Sequence, residues 1–155
     1  PGSPAEHLAR KAELQLKQNV KKIEMISQDK VIDWIDQHDW DSVDFEAVGK
    51  GVDAELLVAV EMGSYRLHDG QTLFRGRADL RVRVLDIAND GEVILDEKLF
   101  DIMFPENGGQ STAGTTEGRF RNAFTDVLAS RVARLFYDYE FDLQIANEAR
   151  LLSQL

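Results

Sequence analysis

The chain has 155 residues, of which 43% are hydrophobic, and its 18 Lys and Arg against 28 Asp and Glu leave a formal net charge of −10. This length supports one hydrophobic core, and the acidic balance excludes attraction of the molecule as a whole to nucleic acid or anionic lipid, so any anion site must be local. The absence of cysteine excludes disulfides, thiol catalysis and cysteine metal sites within these residues.

The first 50 residues carry helical patterns. Residues 1–4, PGSP, are typical of an expression-vector or protease-cleavage remnant. Ser3 fits the cap of a first helix with Pro4 at its first position, and apolar residues recur at helical spacing behind it. Gly51 is placed to end a third, short helix. We predict helices over residues 4–18, 28–38 and 44–50 and a short strand over residues 22–27, KIEMIS.

From residue 53 the apolar residues recur at every second position instead of at helical spacing. Asp69-Gly70 and Asn89-Asp90-Gly91 supply the turn chemistry of two successive hairpins. The pattern predicts a three-stranded antiparallel meander, and the Gly-, Ser- and Thr-rich residues 105–116 predict a mobile loop. The predicted strands cover residues 53–68, 73–87 and 91–104.

No glycine or proline occurs in residues 119–155, and apolar residues there form one stripe at helical spacing. We predict a long C-terminal helix over one face of the sheet, followed by a helical tail that docks on the domain or on a partner. The order of elements predicts an α+β domain with a mostly antiparallel sheet packed by helices. The predicted divisions are the remnant at residues 1–4, a single domain over residues 5–139 and the tail over residues 140–155.

Arginines follow one face of the second predicted strand, LFRGRADLRVRVLDI. In a strand they point one way and the apolar residues between them point the other, which is typical of an antiparallel strand with one face in the core. Acidic residues of the neighbouring strands then favour cross-strand ion pairs on a solvated face. The alternative is a small-ligand or anion-binding face. The arginines are Arg75, Arg77, Arg81 and Arg83, and the acidic residues are Glu61, Asp96, Glu97 and Asp101.

Nucleic-acid binding by this strand is not favoured, because Phe74 alternates onto the face opposite the arginines and offers no stacking platform beside them. A second cluster, HDWDSVD at residues 38–44, gathers donors that could hold a divalent cation. Its spacing matches no calcium-binding loop, and a helix end followed by the cap of the next helix accounts for the same residues. No serine lies in a nucleophile motif and no glycines match a nucleotide-binding pattern, so the sequence predicts no catalytic residue, metal or cofactor.

Several short motifs occur in order between residues 75 and 137. An R-G-R strand at residues 75–77 precedes V-x-V-x-D at 82–86 and K-x-F at 98–100, a strand that closes in proline. A helix with F-R-x-x-F, L-A and L-F-Y follows at residues 120–137. In this order, with coverage of residues 5–139, the motifs resemble a family of uncharacterised bacterial envelope lipoproteins of the planctomycete type.

Such domains are similar in layout to the amino-terminal domain of TolB and to the periplasmic domains of LpoB and the curli-secretion protein CsgG. The resemblance implies a periplasm-facing domain that binds another envelope protein and has no catalytic residue. It also implies a lipidated cysteine upstream of residue 1, so that membrane contact is made only through that anchor.

Three hypotheses follow. The first is a non-enzymatic, lipid-tethered envelope domain that presents its sheet face or the 105–116 loop to a protein partner, with a homo-oligomer through the C-terminal tail as a further expectation. The second is the anion-binding module on the arginine strand. The third is an enzyme with a site assembled from distant residues, for instance His38 with Asp41 and Asp44.

Overall fold

The structure is a computed structural model that describes residues 3–20, 24–38, 43–136, 151–152 and 155. It confirms the predicted α+β class with an antiparallel meander and a long C-terminal helix. The helices are α1 (Pro4–Asn19), α2 (Gln28–Asp36), α3 (Phe45–Gly51) and α4 (Glu117–Ala133), and the strands are β1 (Leu56–Asp69), β2 (Leu73–Asp86), β3 (Glu92–Phe104) and β4 (Gln110–Ser111). Short 3-10 turns follow β2 at Ile87–Asn89 and α4 at Arg134–Phe136.

The sheet has the strand order β1-β2-β3, and all neighbouring strands are antiparallel. The two-residue strand β4 pairs with the start of β2 at Leu73 and Phe74. The prediction of a loop over residues 105–116 was therefore wrong at these two positions, because the chain returns to the sheet there. A contact this short is made by backbone groups and leaves no periodic pattern in the sequence.

Each helix in the described ranges begins after a residue whose side chain accepts a hydrogen bond from the backbone N–H three positions on. Such a cap satisfies one of the N–H groups that a helix leaves without an internal partner. Local capping chemistry therefore explains why the predicted helix starts agree closely with the structure. The caps are Ser3, Ser27, Asp44 and Thr116.

One face of the sheet, which we call the helix face, is covered by α1 and α4 and holds the main hydrophobic core. Phe104, Phe120 and Phe124 are fully buried there. The ring of Phe124 lies directly on β2 at Gly76, where an added Cβ would come within 2.5 Å of the ring. Glycine at this position therefore lets α4 approach the sheet closely.

The C-terminal tail, residues 140–155, lies largely outside the described residues. Leu151 is described, and it is buried in the helix-face core. Leu152 and Leu155 pack against the same core. Of the two destinations predicted for the tail, this end of it docks on the domain itself.

A smaller core lies on the opposite face of the sheet at one end. It consists of Ala59, Leu85 and Ile87, with Phe45 of α3 packed against them. Gly49 of α3 approaches so closely that an added Cβ would come within 2.5 Å of Ile87. The sequence analysis placed the arginines of β2 on a solvated face and made no prediction for Leu85 and Ile87, which α3 covers at this end.

The strand predicted over residues 22–27 was wrong where it can be compared. Residues 24–27 have no regular secondary structure, and the preceding residues 21–23 lie outside the described ranges. α2 also ends at Asp36, two residues earlier than predicted. In the part of the chain that the structure covers, no helix is both long and apolar enough to cross a bilayer.

Candidate functional site

The candidate site is the part of the sheet surface that none of the helices α1, α3 and α4 covers, and we call it the open face. β2 supplies its centre, because buried and half-exposed residues alternate along this strand. The four predicted arginines are all on the half-exposed side of that alternation. The same strand thus forms the floor of the main core and the middle of the open face.

Three of the arginines form cross-strand ion pairs, as the sequence predicted. Arg81 Nε donates to Asp96 Oδ1 at 2.9 Å and its Nη2 donates to Asp96 Oδ2 at 2.7 Å, which is a two-pronged geometry. Arg77 donates from Nε and Nη2 to Asp101 Oδ1 at 3.0 and 2.7 Å. Arg83 donates to Glu61 on the other neighbouring strand.

Arg75 makes a different contact from the other three. Its Nη2 donates to the backbone carbonyl oxygen of Glu106 at 2.7 Å, in the segment that follows β3. All four guanidinium groups therefore already have protein acceptors. An anion on this surface would compete with those acceptors, so the contacts favour the ion-pair interpretation of the arginine strand over the anion-binding one.

The ion pairs shift the pKa values of their members. Hydrogen bonds from Arg81 lower the pKa of the Asp96 carboxyl below its usual 3.8, because they stabilise its charged form. The same bonds raise the pKa of Arg81, and bonds to Asp101 raise that of Arg77. Water screens these pairs, since the side chains of Arg81 and Asp96 are 39% and 37% exposed.

Glu97 does not take part in these pairs, although the sequence analysis included it among the arginines' partners. Its Cα lies opposite that of Val82, on the side of β3 that corresponds to the helix face. Alternation along β3 explains this position, because Asp96 and Glu97 are neighbours and must point in opposite directions.

Asp101 reaches the open face only because β3 contains a bulge. Residues 100 and 101 together face the single residue Asp79, and Asp101 adopts a positive φ of 50°. Its backbone N–H donates to Asp79 Oδ1 at 2.8 Å, which holds the bulge. Asp96 and Asp101 are five positions apart, so strict alternation would place them on opposite faces. The expectation that both pair with arginines on one face was therefore the signal in the sequence for a bulge between them.

The bulge also leaves Phe100 with 69% of its surface exposed. Phe100 lies beside a shallow hollow of about 300 Å³ whose other lining residues come from all three long strands. Gly63 lies within this lining, and no atom comes within 4 Å of where its Cβ would be. Sequence reasoning did not select either residue as a candidate for binding, although Phe100 belongs to the K-x-F motif. The rest of the lining is Glu61, Met62, Asp79, Leu80, Arg81 and Lys98.

The predicted cation cluster at residues 38–44 is partly outside the described chain, since Asp39 and Asp41 fall in the gap. His38 Nδ1 lies 2.7 Å from the carbonyl oxygen of Trp34, one turn earlier. Asp44 caps α3 by accepting from Ala47 N–H at 3.3 Å. Both contacts match the interpretation as a helix end and a helix cap. Among the described residues, no group of three or more His, Asp or Glu side chains is arranged to hold a metal ion.

Comparison with known proteins identifies the fold and no activity. No family model matches the chain, and no curated protein matches it. Among solved structures, a hypothetical protein from Chlamydia trachomatis is similar, with 17% sequence identity, a TM-score of 0.50, and coverage of 99% of this chain and 87% of that one. At this identity the likeness extends to the α+β architecture alone, and the resemblance to envelope lipoproteins stays a prediction.

Proposed function

We propose that this chain is a non-enzymatic domain of the bacterial cell envelope, lipid-tethered in its native form, that binds a protein partner through the open face around Phe100. The observation that carries the proposal is the 69% exposure of this phenylalanine beside the hollow. Aromatic side chains are enriched at the centres of protein interfaces, where they supply large contact area at a low cost in side-chain entropy.

The surroundings of Phe100 favour a protein over a small anion as the ligand. The neighbouring charges are held in cross-strand pairs before any partner arrives, so fewer side chains lose freedom on binding. The surface also alternates acidic and basic groups, which selects partners by charge pattern and does not attract anions in general. Gly63 adds room for an incoming side chain.

The envelope location is proposed from the resemblance carried by the short motifs and their order along the chain, and not from contacts in the structure. It is tested by fractionation and intact-mass analysis of the full-length native protein, with and without an inhibitor of lipoprotein signal peptidase. Membrane association with a lipid-sized mass excess that the inhibitor prevents is the expected result. A native protein without the lipid mass excess would contradict the tethered form.

The binding role is tested by replacing Phe100 with a photo-reactive phenylalanine derivative in the full-length protein, in cells that produce it. The matched control places the same derivative at Leu14, which is 57% exposed on α1. We expect a discrete crosslinked adduct from position 100 that position 14 does not give, and loss of that adduct when Gly63→Trp fills the hollow. Equal adducts from both positions, or none from position 100, would rule out the open face as the binding surface.

A further inference from the structure

The edge of β3 offers a second interaction surface. β3 pairs with β2 along one side, and its other side has no strand partner among the described residues. Unpaired N–H and C=O groups along such an edge are a template for another strand, and proteins commonly protect these edges with charges and bulges. The edge of β3 has both, and their arrangement determines which strand it can accept.

Two irregularities bracket a short regular segment. The pairing of β3 with β2 shifts between Val93 and Leu95, where Ile94 is the extra residue, and again between Leu99 and Ile102. From residue 95 to 99 the register is continuous. A strand added to this edge therefore finds only these five residues in regular geometry, with Ile94 and Phe100 at the two ends, 54% and 69% exposed.

The sequence of residues 94–100, ILDEKLF, is complementary to itself when read in the antiparallel direction. With a two-fold axis at Glu97, Ile94 lies opposite Phe100 of the other copy, each Leu95 opposite a Leu99, and each Asp96 opposite a Lys98. Opposite charges directly across an antiparallel pair stabilise it, and so do apolar pairs. The same charges that protect the edge from other strands thus match a second copy of this one.

This register matches better than its neighbours. Successive residues of a strand turn their N–H and C=O groups to opposite edges, so a two-fold antiparallel pairing requires the axis at a residue and not between two residues. Each axis within residues 96–98 places one like-charge pair on the axis: Glu97–Glu97 here, and Asp96–Asp96 or Lys98–Lys98 one residue away. Moving the axis also places charged residues opposite apolar ones and loses both the Asp96–Lys98 and the Leu95–Leu99 pairs, which stabilise the proposed register.

We propose that β3 pairs with β3 of a second copy of this chain about a two-fold axis at Glu97, which joins the two sheets into one. Lys98 supports this assignment, because it forms no ion pair with any described residue while Asp96 is held in place by Arg81. The paired segment is short, so the dimer is weak and concentration-dependent. This proposal does not depend on the proposed function, since edge pairing uses the backbone of β3: it brings Ile94 of the second copy beside Phe100 and leaves the rest of the open face uncovered.

The axis at Glu97 has a measurable signature, because each copy places this carboxylate opposite itself. Glu97→Lys replaces a Glu–Glu contact by a Lys–Lys contact, and only a mixture of the two proteins forms a Glu–Lys contact. Native mass spectrometry of the mixture is expected to show heterodimer above the random share. In a sedimentation measurement, the dimer of the Glu97→Gln variant is expected to have a dissociation constant about threefold lower than that of the wild type.

The lack of cysteine allows a second test that does not depend on affinity. The axis brings the two copies of residue 97 to a Cα separation of about 4.5 to 5.5 Å, which suits a disulfide. Oxidised Glu97→Cys protein is expected to become a covalent dimer. Glu92→Cys, on the same exposed strand, is the control. Residue 92 lies five positions from the axis in each copy, so its two copies are roughly 33 Å apart.

Failure of this proposal differs from failure of the proposed function. Heterodimer at or below the random share, equal crosslinking at positions 92 and 97, or a monomer at concentrations on the order of 1 mM would each overturn the edge pairing. The adduct from a photo-reactive group at position 100 separates the two proposals by its mass: an adduct of twice the chain's mass reports the second copy, and only an adduct with a different protein supports the proposed function.

Discussion

The two faces of β2 are built from one stretch of alternating residues, yet they differ in what they contribute. On the helix face, Phe74, Ala78 and Val82 are almost completely buried, and the rings of Phe74 and Phe120 stack at a centroid distance of 5.2 Å. On the open face, half-exposed arginines bond to acidic residues of the strands beside them.

The difference shows where the stability of the fold lies. Burial of apolar surface stabilises by about 25 cal/mol per Å², whereas an exposed ion pair contributes about 0 to 1 kcal/mol. The helix face therefore determines whether the chain folds, and the open face can vary with little effect on stability. Residues of the open face can therefore be selected for binding a partner at little cost in stability.

Removing one aromatic ring from each face is expected to give the largest difference in stability between them. Phe124→Ala empties a fully buried site against Gly76 and is expected to lower the free energy of unfolding by about 3 to 5 kcal/mol. Phe100→Ala, at a site 69% exposed, is expected to change it by less than about 0.5 kcal/mol. Urea unfolding of both variants measures the two values, and similar losses would contradict the division between the faces.

A double-mutant cycle on Arg83 and Glu61 measures a single pair on the open face. We expect a coupling of about 0.2 to 1 kcal/mol between Arg83→Met and Glu61→Gln, because solvent screens the pair. Arg83→Met alone is expected to cost more than Glu61→Gln, since the guanidinium also lies over the ring of Phe45 at 5.4 Å. A coupling well above this range would show that the open face stabilises the fold directly.

The smallest expected effect is the dependence of stability on pH through Asp96. Hydrogen bonds from Arg81 lower the pKa of Asp96 in the folded state. The ionised carboxylate therefore stabilises the fold at pH values above the usual pKa of 3.8, and this stabilisation is lost as the pH falls through the lowered pKa. An NMR titration of the Asp96 carboxyl should give a pKa below 3.8, and Arg81→Gln should return it toward that value. An unchanged pKa in the variant would show that another group causes the shift.

The sequence predicted those parts of the fold that depend on periodicity and on caps. Alternation in β2 and helical spacing in α4 predicted the helix face, because a buried surface must be apolar at regular intervals. The pairing of Arg81 with Asp96 and of Arg83 with Glu61 followed from the same alternation. In these elements the local pattern and the tertiary environment agree.

The rest depended on features without a period. The bulge at Asp101 is a break in the alternation, and the exposure of Phe100 follows from that break. The cover of α3 over Leu85 and Ile87 depends on how a distant segment packs, which alternation within β2 does not reveal. The hollow beside Gly63 needs three strands in register at once. Such features arise from tertiary contacts and are visible only after the chain is folded.

The neighbouring positions of α1 and α4 also have a consequence for the order in which the molecule can form. Lys11 Nζ of α1 lies 2.5 Å from Asp126 Oδ1 of α4, across 115 positions of sequence. Any state in which the three long strands have formed before α4 docks leaves their apolar face with only α1 to cover it. Such a state exposes apolar surface and is prone to aggregate. Early contact between α1 and α4, to which the pair of Lys11 and Asp126 contributes, shortens the lifetime of that state.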